Sequence, residues 1–182
     1  MSGGGHGEGL HLWLLRHAKA APDPPHGGTD HERPLTSRGR RDAAALGARI
    51  RAGDLGFGAR QEPRLVLTST AARTTETAVA VADALGAQVD RRRRLYYGSP
   101  TDVLAELRTL DPALRSVMVV GHNPAIHAVA LELLGADDEG HAAPASFPTC
   151  AVALLRVDVG SWAGLGYGTA TLLGHARPPF EP

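Results

Sequence analysis

Three short runs in this chain are apolar at every position: Leu12-Trp13-Leu14-Leu15, Leu65-Val66-Leu67 and Val117-Met118-Val119-Val120. A strand with one wet face alternates polar and apolar residues, so runs without alternation read as strands covered on both sides. Helical patterns lie between them. Thr36 or Ser37 can cap a helix reaching about Arg51, with Ala43, Leu46 and Ile50 inward. From about Ala71 to Leu85, the residues Ala78, Val81, Ala82 and Leu85 recur at helical spacing. Ser99-Pro100-Thr101 introduces a short helix over Asp102 to Leu110. Ile126, Val129, Ala130, Leu133 and Leu134 mark a further helix, which Gly135 ends. Ala151 to Val157 and Thr169 to Leu173 read as two closing strands, a hairpin, and Arg91 to Arg94 as an exposed edge segment. This alternation predicts an α/β fold: three layers, a mainly parallel (mixed) sheet, and helices on both faces.

At 182 residues the chain suits one domain, over 10–182, preceded by a Gly-rich tail over 1–9 that is expected to be disordered. Nineteen basic residues balance nineteen acidic ones, which excludes a generic binder of nucleic acid or membrane surfaces. Lys19 is the only lysine, an imbalance that codon bias explains without a functional role. Cys150 stands alone, which leaves no intrachain disulfide and no thiolate metal cluster. No run approaches the ~18 apolar residues of a membrane helix, and the start lacks the pattern of a signal peptide, so a cytoplasmic location is expected.

Open α/β sheets bind ligands beyond the carboxyl ends of their strands. Arg16-His17 follows the first run, Thr68-Ser69-Thr70 and then Arg73 the second, and Gly121-His122-Asn123-Pro124 the third. Each has an ordinary reading: a hydrogen-bonded structural histidine, a helix-surface arginine, a proline at a helix start. Their convergence on one sheet edge is what points to function. Arginines there grip an oxyanion with several N–H groups at once, and a helix starting near Pro124 adds positive potential.

Four segments, in order, resemble one family. Leu14-Leu15-Arg16-His17-Ala18 is similar to the Arg-His signature of the histidine phosphatase (phosphoglycerate mutase-like) superfamily. Arg33-Pro34-Leu35-Thr36 with Gly39 resembles its arginine loop, Ser69 to Ala78 its second arginine segment, and Gly121 to Pro124 its second histidine. The size and the wording Arg16-His17-Ala18-Lys19-Ala20 are most similar to the SixA-type phosphohistidine phosphatases. The resemblance implies a phosphoglycerate mutase-like fold and a phosphoenzyme on His17, with Arg16, Arg33, Arg73, His122 and Asn123 around the phosphoryl group. It implies no cofactor and no metal. Chemistry alone leaves His122 open as the nucleophile; the Arg-His match favours His17.

Many members carry a carboxylic acid, after the second helix, that protonates a departing alcohol. Here Leu95 to Pro100 holds no carboxylate, and Asp102 is placed to cap a helix. An alkoxide leaves poorly without an acid, whereas an imidazole nitrogen, with a pKa near ~6.5, leaves readily. A phosphohistidine-bearing protein is therefore the expected partner and substrate. Tyr96, Tyr97, Glu32 or Asp30 could still supply a proton. The alternatives are a phosphatase of small phosphomonoesters, and a non-catalytic phosphate- or phosphoprotein-binding module. A metal site finds no support in spacing: His122 and His127 are five apart, and the remaining histidines show no ligand pattern.

Overall fold

A computed structural model describes residues 9–57, 62–135 and 144–180. Apart from Gly9, the expected N-terminal tail lies outside the described residues. Six strands form one sheet: β1 (Leu10–Arg16), β2 (Leu65–Ser69), β3 (Gln88–Arg92), β4 (Ser116–Gly121), β5 (Val152–Val157) and β6 (Ala170–Ala176). Their order across the sheet is β3-β2-β4-β1-β5-β6. β1 to β4 are mutually parallel where they pair, and β5 and β6 add an antiparallel hairpin beside β1. The sheet is the expected mixed one, and Arg91 and Arg92 lie in the strand at its edge.

The apolar runs sort their side chains to two faces with a period of two. Leu10, Leu12 and Leu14 of β1 and Val117 and Val119 of β4 enter one core. Trp13 and Leu15, with Met118 and Val120, enter the other. Helices α1 (Ser37–Ala52) and α2 (Ala72–Leu85) cover the second face, and α3 (Pro100–Arg108) and α4 (Ala125–Leu134) the first. Burying each such leucine contributes roughly 1.5–3 kcal/mol, and a run sandwiched between two cores has no face left for polar residues.

The helix ends follow their capping chemistry. Thr36 Oγ1 accepts from the Gly39 amide at 3.0 Å, so Thr36 caps α1. Ser99 and Asp102 form a reciprocal capping box at α3, with Pro100 in its first turn. α3 begins and ends two residues earlier than the sequence suggests, because Pro100 is already helical. Gly135 ends α4 with φ 72°, a conformation glycine adopts without a Cβ penalty. Between β1 and α1, the Ala20 to Pro34 stretch contains one short 3-10 turn at Asp30–Glu32, closed by a Thr29–Glu32 capping box. Among the described residues, no helix is long and apolar enough to cross a membrane.

Candidate active site

The parallel register brings the sequence-distant motifs together. Arg16 pairs with Gly121 in the β1/β4 ladder, so His17 and His122 leave adjacent strand ends at the same level. Their ring centroids lie 5.4 Å apart. β2 is the other neighbour of β4, and it delivers Ser69 and then Arg73, in the first turn of α2. Gly121 permits this tight corner: a Cβ there would stand 2.8 Å from Ile126 Cδ1 of α4.

His17 is held on every side. Its amide donates to Gly121 O at 3.0 Å and its carbonyl accepts from Cys150 N, also at 3.0 Å. The next residue is tied to α2, since Ala18 N donates to Thr77 Oγ1 at 3.0 Å. The ring nitrogen Nδ1 is 2.8 Å from Ala18 O. A carbonyl oxygen can only accept, so Nδ1 carries the hydrogen and the lone pair sits on Nε2. Only 8% of the residue is exposed. Burial depresses its pKa to about 4; the Ala18 hydrogen bond opposes this, and the charges of Arg73, Arg16 and Arg33 reinforce it. His17 is thus a neutral imidazole with a defined tautomer.

His122 is depressed further, to about 3, chiefly by burial and then by His17 and Arg73. Its Nε2 lies 3.0 Å from Ser69 Oγ, which also accepts from Ala71 N at 3.2 Å.

The arginines differ in how they are held. Arg16 Nη1 donates to Phe147 O at 2.9 Å, while its Nε is buried with no hydrogen-bond partner among the described residues. Arg73 is 6% exposed. Its Nη1 and Nη2 donate to Asp30 O (2.8 Å) and Asp30 Oδ2 (3.1 Å), and its Nε is likewise buried without a partner among the described residues. Buried unpartnered N–H donors on two guanidinium groups constitute unmet demand for an acceptor. Arg33 donates to Ala21 O and Pro22 O at 3.3 and 3.1 Å, and its Nε stands 2.9 Å from Asp30 Oδ1 as an ion pair.

Asp30 is the residue that sequence reasoning undervalued. Its carboxylate touches Arg73, Arg33 and the hydroxyl of Tyr96, which donates to Oδ2 at 3.0 Å. Desolvation alone would raise its pKa, but the Tyr96 hydrogen bond and the Arg73 and Arg33 charges more than offset this and hold it below the ordinary carboxylate range. Tyr96 is pushed up to about 12, by burial and by Asp30. Its ring packs 4.7 Å from His31 and 5.9 Å from His122. The spacing Asp30-x-x-Arg33 was the available signal, since three residues make one turn of 3-10 helix. Glu32, another candidate acid, instead caps Thr29 through its Oε2.

Asn123 follows His122 just beyond β4. Its Nδ2 donates to Phe147 O at 2.8 Å, the same carbonyl that Arg16 holds. This bond tethers Phe147 beside β1 and occupies one of the two Nδ2 hydrogens. The described part of the loop before β5 braces this corner: Phe147 O holds Arg16, and Pro144 O contacts His127 Nε2 at 2.8 Å. His127 is thus a helix residue bracing that loop.

Two histidines, three arginines and a carboxylate meet at the carboxyl ends of three parallel strands, an arrangement with known counterparts. The sequence profile of the histidine phosphatase superfamily (branch 1) matches residues 12–96. An uncharacterized protein of Mycobacterium tuberculosis is 36% identical over 168 residues, covering 90% of this chain and 99% of that one. Among solved structures, a protein from Nakamurella multipartitia, provisionally named phosphohistidine phosphatase SixA, is 34% identical, with a TM-score of 0.79 over 93% of this chain and 96% of its own. The protein histidine phosphatase SixA complexed with tungstate is 25% identical, with a TM-score of 0.71 over 91% of this chain and 96% of its own. The Arg16-His17 corner, the buried Arg73 and the full-length likeness together show that this chain belongs to the histidine phosphatase superfamily, with its phosphoglycerate mutase-like fold.

Proposed function

We propose that this chain hydrolyses phosphohistidine side chains of proteins, through a phosphoenzyme on His17 and without a metal. The carrying observation is the 2.8 Å contact between His17 Nδ1 and Ala18 O, which directs a neutral Nε2 lone pair outward among cationic groups. In the first step Nε2 attacks phosphorus. The P–N bond to the substrate imidazole, protonated on its other ring nitrogen, breaks, and that ring leaves as neutral imidazole with the electron pair. In the second step water attacks the phosphorylated His17, inorganic phosphate departs, and Nε2 recovers its lone pair. Arg16, Arg33 and Arg73, with His122, stabilise the phosphoryl oxygens as charge develops on them. That the related SixA was solved complexed with tungstate, a tetrahedral oxyanion, supports an anion-binding reading of this chain.

The leaving group follows from the acids at hand. Asp30 is held ionised, and Tyr96, at about 12, already donates to it. Neither suits protonation of an alkoxide, whereas a phosphorylated imidazole needs no strong acid. An ionised Asp30 instead suits accepting the proton of the attacking water.

The test uses excess chelator with three substrates: phosphoramidate, free phosphohistidine and an alkyl phosphomonoester. We expect the two P–N compounds to turn over fastest, an acid-labile phosphoenzyme to be trapped, and both signals to vanish in His17→Ala. Undiminished turnover by His17→Ala would overturn the nucleophile. Faster hydrolysis of the alkyl ester would overturn the substrate class, and tight phosphate binding without turnover would favour a binding module.

A further inference from the structure

Beside the phosphoryl cluster two open cavities meet at the His31–Thr70 hydrogen bond of 2.9 Å. The larger, about 1030 Å³, is walled by Arg93, Arg94, Tyr96 and Tyr97; the smaller, about 320 Å³, extends to Arg91. They share His31, Glu32 and Thr70, so together they form one trough from Arg91 to Arg94, whose Tyr96 wall abuts His122. Its capacity exceeds the ~300–1,000 Å³ usual for small-molecule pockets.

The charges along it do not cancel. Its lining holds Arg91, Arg93 and Arg94 against two carboxylates, Glu32, which is hydrogen-bonded by Thr29, and Asp102, which Ser99 and, at 2.8 Å, Arg94 engage, so the balance is positive. Arg92 is paired with Asp90 and Glu106. Arg91 and Arg93 are exposed and form no ion pair with a described residue, although the chain as a whole is neutral. Tyr97 stands 89% exposed on the same wall, an aromatic side chain of the kind enriched in protein interfaces. We infer that this trough is a docking groove for an acidic polypeptide segment flanking the phosphorylated residue, with Arg91 and Arg93 as its charge-reading contacts. The inference rests on the phosphohistidine-protein reading above and specifies the partner. Rim charges of this kind govern association rate and salt dependence more than chemistry at the site.

Two labelled peptides of equal length serve as probes, each with a central histidine flanked by glutamates or by lysines, with free phosphohistidine alongside. In fluorescence anisotropy the unphosphorylated Glu-flanked peptide should bind at least ~10-fold tighter than the Lys-flanked one at low salt, a preference erased by Arg91→Glu/Arg93→Glu and by high salt. After phosphorylation, kcat/KM for the Glu-flanked peptide should fall by the same factor in the double variant, with turnover of free phosphohistidine unchanged within about two-fold. Equal binding of the two peptides by the native chain overturns the docking groove, whatever the turnover. Equal losses on peptide and free phosphohistidine overturn it too, since they place the effect in the catalytic cluster. Selective peptide binding without any P–N hydrolysis would instead remove the catalytic reading and leave the groove standing.

Discussion

Protonation of His17 provides a measurable test of the site. An exposed histidine titrates near 6.5, and burial among arginines brings His17 to about 4. At pH 5 a group with a pKa of about 4 is about 90% neutral, whereas one at 6.5 is about 3% neutral, so the nucleophilic fraction differs roughly 30-fold. The interval between the two values corresponds to about 3 kcal/mol. The sign follows from proton counting: between pH 4 and 6.5 the unfolded chain binds a proton at this imidazole and the folded chain does not. Stability therefore holds above pH 6.5 and declines, by on the order of 3 kcal/mol from this group, as pH falls toward 4. Nitrogen-15 correlation spectra of the imidazole rings, with His17 assigned by comparison with His17→Gln, give both the midpoint and the tautomer. We expect a midpoint near 4 and the hydrogen on Nδ1 throughout the neutral range. A midpoint near 6.5, or a hydrogen on Nε2, would refute the orienting role of the Ala18 carbonyl.

Arg73→Gln removes the buried guanidinium that holds Asp30 and that, in the proposed mechanism, steadies the phosphoryl oxygens, and should lower kcat/KM by roughly 10²–10³ with a native circular dichroism spectrum; Arg73→Lys should recover little, because an ammonium cannot reproduce the fork that holds Asp30. Asp30→Asn should bring the Tyr96 pKa down from about 12, read by ultraviolet difference titration, and reduce kcat/KM; an unmoved tyrosine titration would contradict the Tyr96–Asp30 hydrogen bond. Gly39→Ala should destabilise the fold by about 1–3 kcal/mol, seen as a lower Tm, because the added Cβ collides with the Lys19 backbone carbonyl, which cannot give way without moving the loop after His17.

Much of the frame was legible in the chain. Leu12 to Leu15 and Val117 to Val120 lack alternation because two helix layers cover their strands, and that absence is a local property of the sequence. Thr36, Ser99, Pro100 and Gly135 marked helix ends because capping satisfies backbone groups within a few residues. Arg16, His17, Arg73 and His122 were placed by a topological rule, that ligands lie beyond parallel strand ends, and the β1/β4 register brings the two histidines side by side. The contact of Asn123 with Phe147, 24 residues away in the chain, was not legible there, because it depends on how the loop before β5 folds back.

What the sequence determined by itself is thus the set of elements, their ends and the strand edge on which the chemistry falls, since each depends on periodicity or capping within a short window. Only the tertiary structure decided how the groups are tuned. The His17 tautomer depends on one carbonyl direction, and its depressed pKa on burial beneath separate segments. Asp30 acquires its place because Arg73 lies 43 residues away in the chain and Tyr96 lies 66, and both close on it in space. Electrostatic and hydrogen-bond energies fall steeply with distance in three dimensions, so a residue's charge state is set by neighbours that sequence separation does not reveal.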